Sequence, residues 1–131
     1  MLFVMFKAHS GLRWLLVLAF VAVLTRLYLL FSKKEAFTPR DEKLLLAFTI
    51  LLDVQILLGL VMFVWDAVAN DFLPLYRVEH GVLLLIAGLL GHLPRRWKTL
   101  EATERAKKSL LAVAVAAALV VLGVAMLPQG W

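Results

Sequence analysis

Four long apolar blocks separated by short polar stretches make up almost the whole chain. The first runs from about Lys7 to Phe31, and the apolar Leu2–Phe6 stretch is able to extend it backward. The polar run Ser32–Arg40 follows, with Pro39 ending any continuation and Asp41 and Glu42 suited to the first turn of a new helix, where negative charge complements the dipole. The second block covers about Lys43–Ala67, after which Asn70-Asp71 turns the chain and Pro74 suits an early helical position. The third spans about Leu75–Leu93 and is expected to stop before Pro94-Arg95-Arg96-Trp97-Lys98. A charged stretch, Thr99–Lys108, precedes the fourth block, about Ser109–Leu127, which Pro128 closes. Ala112, Ala116 and Ala117 give this last helix a surface that permits close approach of a neighbour.

Each block is long enough to cross a bilayer core, which needs roughly 20 mainly apolar residues of helix. The pattern therefore predicts an all-α, integral membrane, four-helix up-down-up-down bundle occupying residues 1–131 as one membrane domain, with lipid as its surroundings. Composition agrees: 63% of the residues are hydrophobic and the mean hydropathy is +0.93, far above a soluble domain. The first block is longer than a signal-peptide h-region and no A-x-A-like site closes it, so it is expected to be a retained helix. There are no cysteines, which excludes disulfides, Cys-ligated zinc, iron–sulfur clusters and thiol redox chemistry.

The net charge of +5 is read as a topology signal rather than a nucleic-acid footprint, so no nucleic-acid partner is expected. Arg26, Lys33, Lys34, Arg40, Lys43, Arg95, Arg96, Lys98, Arg105, Lys107 and Lys108 fall on one side of the four spans, and only Lys7, Arg13 and Arg77 on the other. The positive-inside rule then places the first side in the cytoplasm and both termini on the outer face of a bacterial-type inner membrane.

Polar side chains within spans need a reason, and here they are His9, Arg13, Arg26, Asp53, Gln55, Glu79, His80 and His92. Helices 1 and 3 run parallel, so His9, two residues past Lys7, and His80, three past Arg77, share a depth in the outer half. That agreement requires helix 1 to project past the cytoplasmic boundary near Arg26. Parallel helices of such a bundle are diagonal across the core, and two imidazoles so placed suit bis-histidine haem ligation. A porphyrin also needs small neighbours, and Gly11, Gly59, Gly81 and Gly123 supply one glycine per helix in the same half. The alternative is that the glycines serve packing alone and each histidine bonds a carbonyl or interfacial water.

His9-Ser10-Gly11-Leu12-Arg13-Trp14 resembles the HSGLRW opening of small bacterial four-helix membrane proteins labelled cytochrome b-like. Tyr76-Arg77-Val78-Glu79-His80 is similar to their second signature at the entry to helix 3. The resemblance covers the two motifs and the overall hydropathy. It implies one haem b with His9 and His80 as axial ligands and Arg77 near the propionates. Arg13, one turn below His9, then needs an acid partner from Glu79, Asp66 or a propionate, and Trp14 and Trp65 pack on the ring or anchor at the interface. Met62 and Met126 are alternative ligands in that half.

His92 lies 12 residues after His80, roughly 18 Å along a helix, with no second histidine to oppose it; a structural interfacial role is expected rather than a second haem. Asp53 is expected to pair with Arg26, a proton path or quinone contact being the other reading. The functions compatible with these residues are a membrane cytochrome passing electrons between the quinone pool and a partner complex, a cofactor-free accessory subunit of a larger membrane complex, and a small transporter lined by Asp53, Gln55 and Arg26. The first is the leading expectation, as an electron-transfer protein more than a stand-alone enzyme.

Overall fold

The computed structural model describes residues 2–70 and 72–131; Asp71, assigned to the second turn, lies outside them. Four α-helices, α1 (Leu2–Lys33), α2 (Pro39–Asn70), α3 (Leu75–Arg96) and α4 (Ala102–Ala125), account for most of the chain, and the described residues contain no strand. α1, α2 and α4 are each long and apolar enough to cross a membrane. α3 falls short on that measure because Arg77, Glu79, His80, His92, Arg95 and Arg96 interrupt its apolar face.

The helices exceed their apolar blocks because local capping extends them. α1 ends in a Schellman turn: Lys34 adopts a left-handed φ of 55° and the Glu35 N–H reaches back to the Leu30 carbonyl at 3.1 Å. α2 starts at Pro39, four residues before its apolar block, because Thr38 and Asp41 form a reciprocal cap. The Thr38 amide donates to Asp41 Oδ2 at 2.8 Å and the Asp41 amide lies 3.4 Å from Thr38 Oγ1, with proline at the first helical position. α4 begins at Ala102 rather than Ser109, since the Glu101 carboxylate accepts from the Thr103 and Glu104 amides at 2.9 and 3.1 Å. α3 does not stop before Pro94 but carries it inside its last turn. The buried Arg105 guanidinium donates to the Pro94 carbonyl at 3.0 and 2.9 Å, satisfying an acceptor that a helix end leaves open.

Each helix packs on its chain neighbours and α1 closes onto α4, so α1 and α3 occupy diagonal corners, as do α2 and α4. Side-chain contacts make neighbours antiparallel: Arg26 near the end of α1 meets Asp41 at the start of α2, and His80 early in α3 meets Gly123 late in α4. The core consists of Leu16, Phe20, Val23, Leu27 and Leu30 from α1, Leu45, Phe48 and Leu52 from α2, Ala87 from α3, and Ala106, Val113, Ala116 and Val120 from α4. Phe20 and Phe48 meet edge-on at 4.9 Å between centroids. Gly91 lets α2 press close, since a Cβ there would lie 2.5 Å from Leu52 Cδ2. Ala112 and Ala116 are buried, in line with their small size.

Two ion-pair clusters tie down the end that carries the basic loops. Arg26 donates to Asp41 at 2.6 Å and to Glu35 at 2.9 Å, joining α1 to the start of α2. Arg105 makes a two-pronged contact with Glu42 at 2.5 and 3.2 Å and stacks on Phe37 at 3.9 Å. The bundle is thus closed by polar clamps at one end and by apolar packing through its middle. At the opposite end, which holds the termini and both candidate ligands, packing is different. Among the described residues none from Phe3 to Leu15, from Ile56 to Asn70, or from Leu75 to Ile86 is buried; the buried positions at that depth are Gln55 of α2 and Val120, Gly123 and Val124 of α4.

Candidate functional site

His9 and His80 stand on diagonal helices, each seated against a glycine of the next helix in the chain. His9 lies on α1 facing α2. Its Cε1 would be 3.1 Å from a Cβ placed on Gly59, so Gly59 is the floor of its socket. Gln55, 5% exposed, donates from its amide to the His9 carbonyl at 3.0 Å, and the same nitrogen lies 3.4 Å from His9 Nε2. His9 Nδ1 and Gln55 Oε1 are buried without a hydrogen-bond partner. Orphaned buried polar atoms are uncommon enough to call for a reason.

His80 lies on α3 facing α4, and a Cβ on Gly123 would come within 3.5 Å of its Nδ1 and 2.8 Å of Leu84 Cδ2. Its Nδ1 is 2.9 Å from the Gly123 carbonyl oxygen, which can only accept, so Nδ1 carries a hydrogen and donates it there. The sequence makes that carbonyl available. α4 ends at Ala125, and the Leu127 N–H turns to Val124 instead of continuing the helical ladder to Gly123. The four glycines assigned to this half therefore divide: Gly59 and Gly123 hold the imidazoles, while a Cβ on Gly11 or Gly81 would meet nothing within 4 Å.

The arginines take partners that depth alone did not indicate. Among the described residues Arg13 pairs with no acid, neither Glu79 nor Asp66. Its guanidinium lies 5.3 Å from both the Trp14 and Trp131 rings and donates to the Gly130 carbonyl at 3.3 Å, pinning the C-terminal turn over α1. Trp14 is 55% exposed and leans toward Trp131, so it contacts Arg13 rather than the space between the histidines. Arg77 pairs with Asp66, closing the α2–α3 connection. Trp65 is about half exposed and Met126 is 38% exposed.

Nearer the basic end, the Arg26–Asp53 pair expected from depth does not form, because Arg26 is occupied by Asp41 and Glu35, which lie closer across a short loop. Asp53 instead accepts from His92 Nε2 at 2.8 Å. This α2–α3 pair sits on the outside of the bundle, with side chains 56% and 41% exposed. His92 thus has a specific partner that no interfacial reading supplied. Position along α2 and α3 carries no signal for it, since antiparallel register across two helices is set by packing.

Chemically, the terminus end offers two imidazoles on diagonal helices, one with a ring nitrogen fixed by a carbonyl as in many metal-ligating histidines. Among the described residues no group of three or more His, Asp and Glu side chains is arranged to hold a bare metal ion. Comparison with family models, with curated proteins and with solved structures finds no match for this chain.

Proposed function

We propose that this chain is a b-type membrane cytochrome. In this reading all four helices cross a bacterial inner membrane in up-down-up-down order, with both termini outside and the basic loops in the cytoplasm. The 11-to-3 division of Lys and Arg supports that orientation. Its α3 is the least apolar span because it carries the site. His9 and His80 hold one haem b between α1 and α3 in the outer half.

The observation that carries this reading is the contrast in side-chain burial between the two ends. A close-packed core runs from Leu16 to Leu30 on α1, whereas from Phe3 to Leu15 no side chain is fully buried, a length of roughly 20 Å. The two histidines stand in that more exposed length, on diagonal helices, with His9 Nδ1 buried and unpartnered and His80 Nδ1 taken by the Gly123 carbonyl, which leaves its Nε2 for a metal. These donors fit an iron porphyrin. Bound haem b supplies a one-electron couple at its iron. Gly59 and Gly123 give the imidazoles room, and the Gly123 carbonyl fixes the His80 ring. Arg77, one turn outside His80 and paired with Asp66, stands at the outer rim, where a propionate would be met. The activity is electron transfer linked to the quinone pool or to other membrane redox subunits.

The test is a dithionite-reduced minus air-oxidised optical spectrum of the detergent-purified protein expressed with ample haem. Sharp alpha and Soret bands, lost in His9→Ala and in His80→Ala, are the expected result; a featureless spectrum overturns the reading. One observation favours a second reading, a cofactor-free accessory subunit: the Asp53–His92 pair faces outward, where a helix of a larger complex would shield it. Co-purification of colourless protein with a stable membrane partner would establish that alternative.

A further inference from the structure

The basic end carries a shallow groove along α3 that is lined by Leu89, His92, Leu93, Arg95, Arg96 and Lys98. Three cations stand at its mouth, and two leucines continue it toward the apolar surface, where Leu89 is 72% exposed. The acids at this end are already taken. Glu35 and Asp41 are held by Arg26, Glu42 by Arg105, and Glu104 by Lys108. Glu101 caps α4 through backbone amides, and Lys98 reaches Glu42 only at 3.8 Å.

Arg95 and Arg96 make no ion pair among the described residues, and Arg95 Nε is buried without a hydrogen-bond partner. They do not serve as helix caps for Pro94 either, because Arg105 takes that carbonyl. A guanidinium whose acids and carbonyls are spoken for is left to meet an anion from outside. At the rim of a membrane helix, with an apolar wall leading away from the charge, the matching anion is a lipid phosphate whose chains lie along the wall.

We propose that this groove is a binding site for an anionic phospholipid: the phosphate sits between Arg95, Arg96 and Lys98, and an acyl chain runs along Leu93 and Leu89. The site requires that the chain lies in a membrane and is independent of haem. It differs from the general positive charge of this end, since Lys33, Lys34 and Arg40 are exposed on the α1–α2 connection and away from the groove.

The experiment is native mass spectrometry of the full chain released from detergent, titrated with phosphatidylglycerol or with phosphatidylcholine. Wild type is expected to retain phosphatidylglycerol about ten-fold more tightly. The Arg95→Gln/Arg96→Gln/Lys98→Gln variant is expected to lose that preference, and Arg95→Lys/Arg96→Lys, which keeps the charge, to hold most of it. The Lys33→Gln/Lys34→Gln/Arg40→Gln variant, with the same charge removed, is expected to behave as wild type. Equal retention of the two lipids, or equal loss of the preference in both glutamine variants, overturns the proposal. Displacement of the lipid by inorganic phosphate overturns the lipid assignment in favour of a free-anion site. A misfolded triple variant would show in its helical circular dichroism, and the lysine pair and the wild-type lipid comparison then decide the matter.

Discussion

Nδ1 of His80 donates to the Gly123 carbonyl across 2.9 Å, tying the entry of α3 to the final turn of α4. The contact exists because α4 stops two residues later and because residue 123 lacks a side chain. A methyl there would lie 2.8 Å from Leu84 Cδ2 and 3.5 Å from His80 Nδ1. Leu84 is able to turn aside, so Gly123→Ala is expected to fold yet rotate or displace the His80 ring. Under the cytochrome reading, the reduced alpha band should broaden or shift while helical content stays at the wild-type level. An unaltered band would show that the Gly123 contact does not orient the ligand.

The same argument applied to α2 and α1 gives a paired comparison. Gly59→Ala puts a methyl 3.1 Å from His9 Cε1, tighter than ordinary contact, whereas Gly11→Ala adds one into open space. Haem content per chain, measured by pyridine haemochrome, is expected to fall in Gly59→Ala and to match wild type in Gly11→Ala. Equal haem content in the two would mean that the socket around His9 gives way without cost.

Arg105 joins three elements through one guanidinium. It is 3% exposed, satisfies the Pro94 carbonyl, pairs with Glu42 and covers Phe37. Arg105→Met removes the charge and strands both a carboxylate and a carbonyl, a loss of roughly 3 kcal/mol for a paired group of this burial. Arg105→Lys keeps the charge but cannot reach two acceptors in one plane, so it is expected to recover only part of that loss. Thermal unfolding in detergent, followed by circular dichroism at 222 nm, reads both. A wild-type midpoint in Arg105→Met would remove Arg105 from the architecture.

Hydropathy made the four helices legible, because a bilayer-length apolar block has few other ways to fold. It did not make their ends legible, because ends are set by single polar contacts. Thr38-Pro39-Arg40-Asp41 is a capping box, with aspartate in the third helical position, and moves the start of α2 back to Pro39. Pro94 looks like a stop, yet Arg105, eleven residues on, makes its carbonyl comfortable inside the helix. Pairing by depth failed for a related reason. Arg26 and Asp53 differ modestly in depth, but Asp41 and Glu35 sit across a tight loop from Arg26 and win. Asp53 then finds His92, a partnership that depends on the register of α2 against α3 and on close approach at Gly88 and Gly91. The diagonal placement of His9 and His80 follows from helix order, whereas the split of four glycines into two sockets and two open positions depends on side-chain direction, which spacing along one helix does not encode.

Lys34 holds a left-handed backbone at the end of α1, where glycine is the usual occupant. Its side chain is exposed and makes no ion pair among the described residues. Lys34→Gly therefore removes steric cost without removing a contact and is expected to stabilise the fold by about 1 kcal/mol, less the greater chain entropy of glycine. The check is the detergent unfolding midpoint, which should rise slightly; a clear fall would mean that the Lys34 side chain contributes more than its conformation costs.

Glu101 gives the α3–α4 connection a dependence on pH. Amide donors from Thr103 and then Glu104 hold its carboxyl below the ordinary value of 4.5. Burial opposes them only weakly at this exposed position. The charged form is thus the one the folded chain prefers, so the capping contribution is complete above the unfolded-state value and is lost as pH falls through the folded one. In Glu101→Gln the amide donors meet a neutral oxygen, which accepts less strongly and does not titrate. The difference in unfolding midpoint between wild type and Glu101→Gln is expected to be largest at neutral pH and to shrink as the medium is acidified below the carboxylate range. A difference that stays constant across that range would show that the cap acts without its charge.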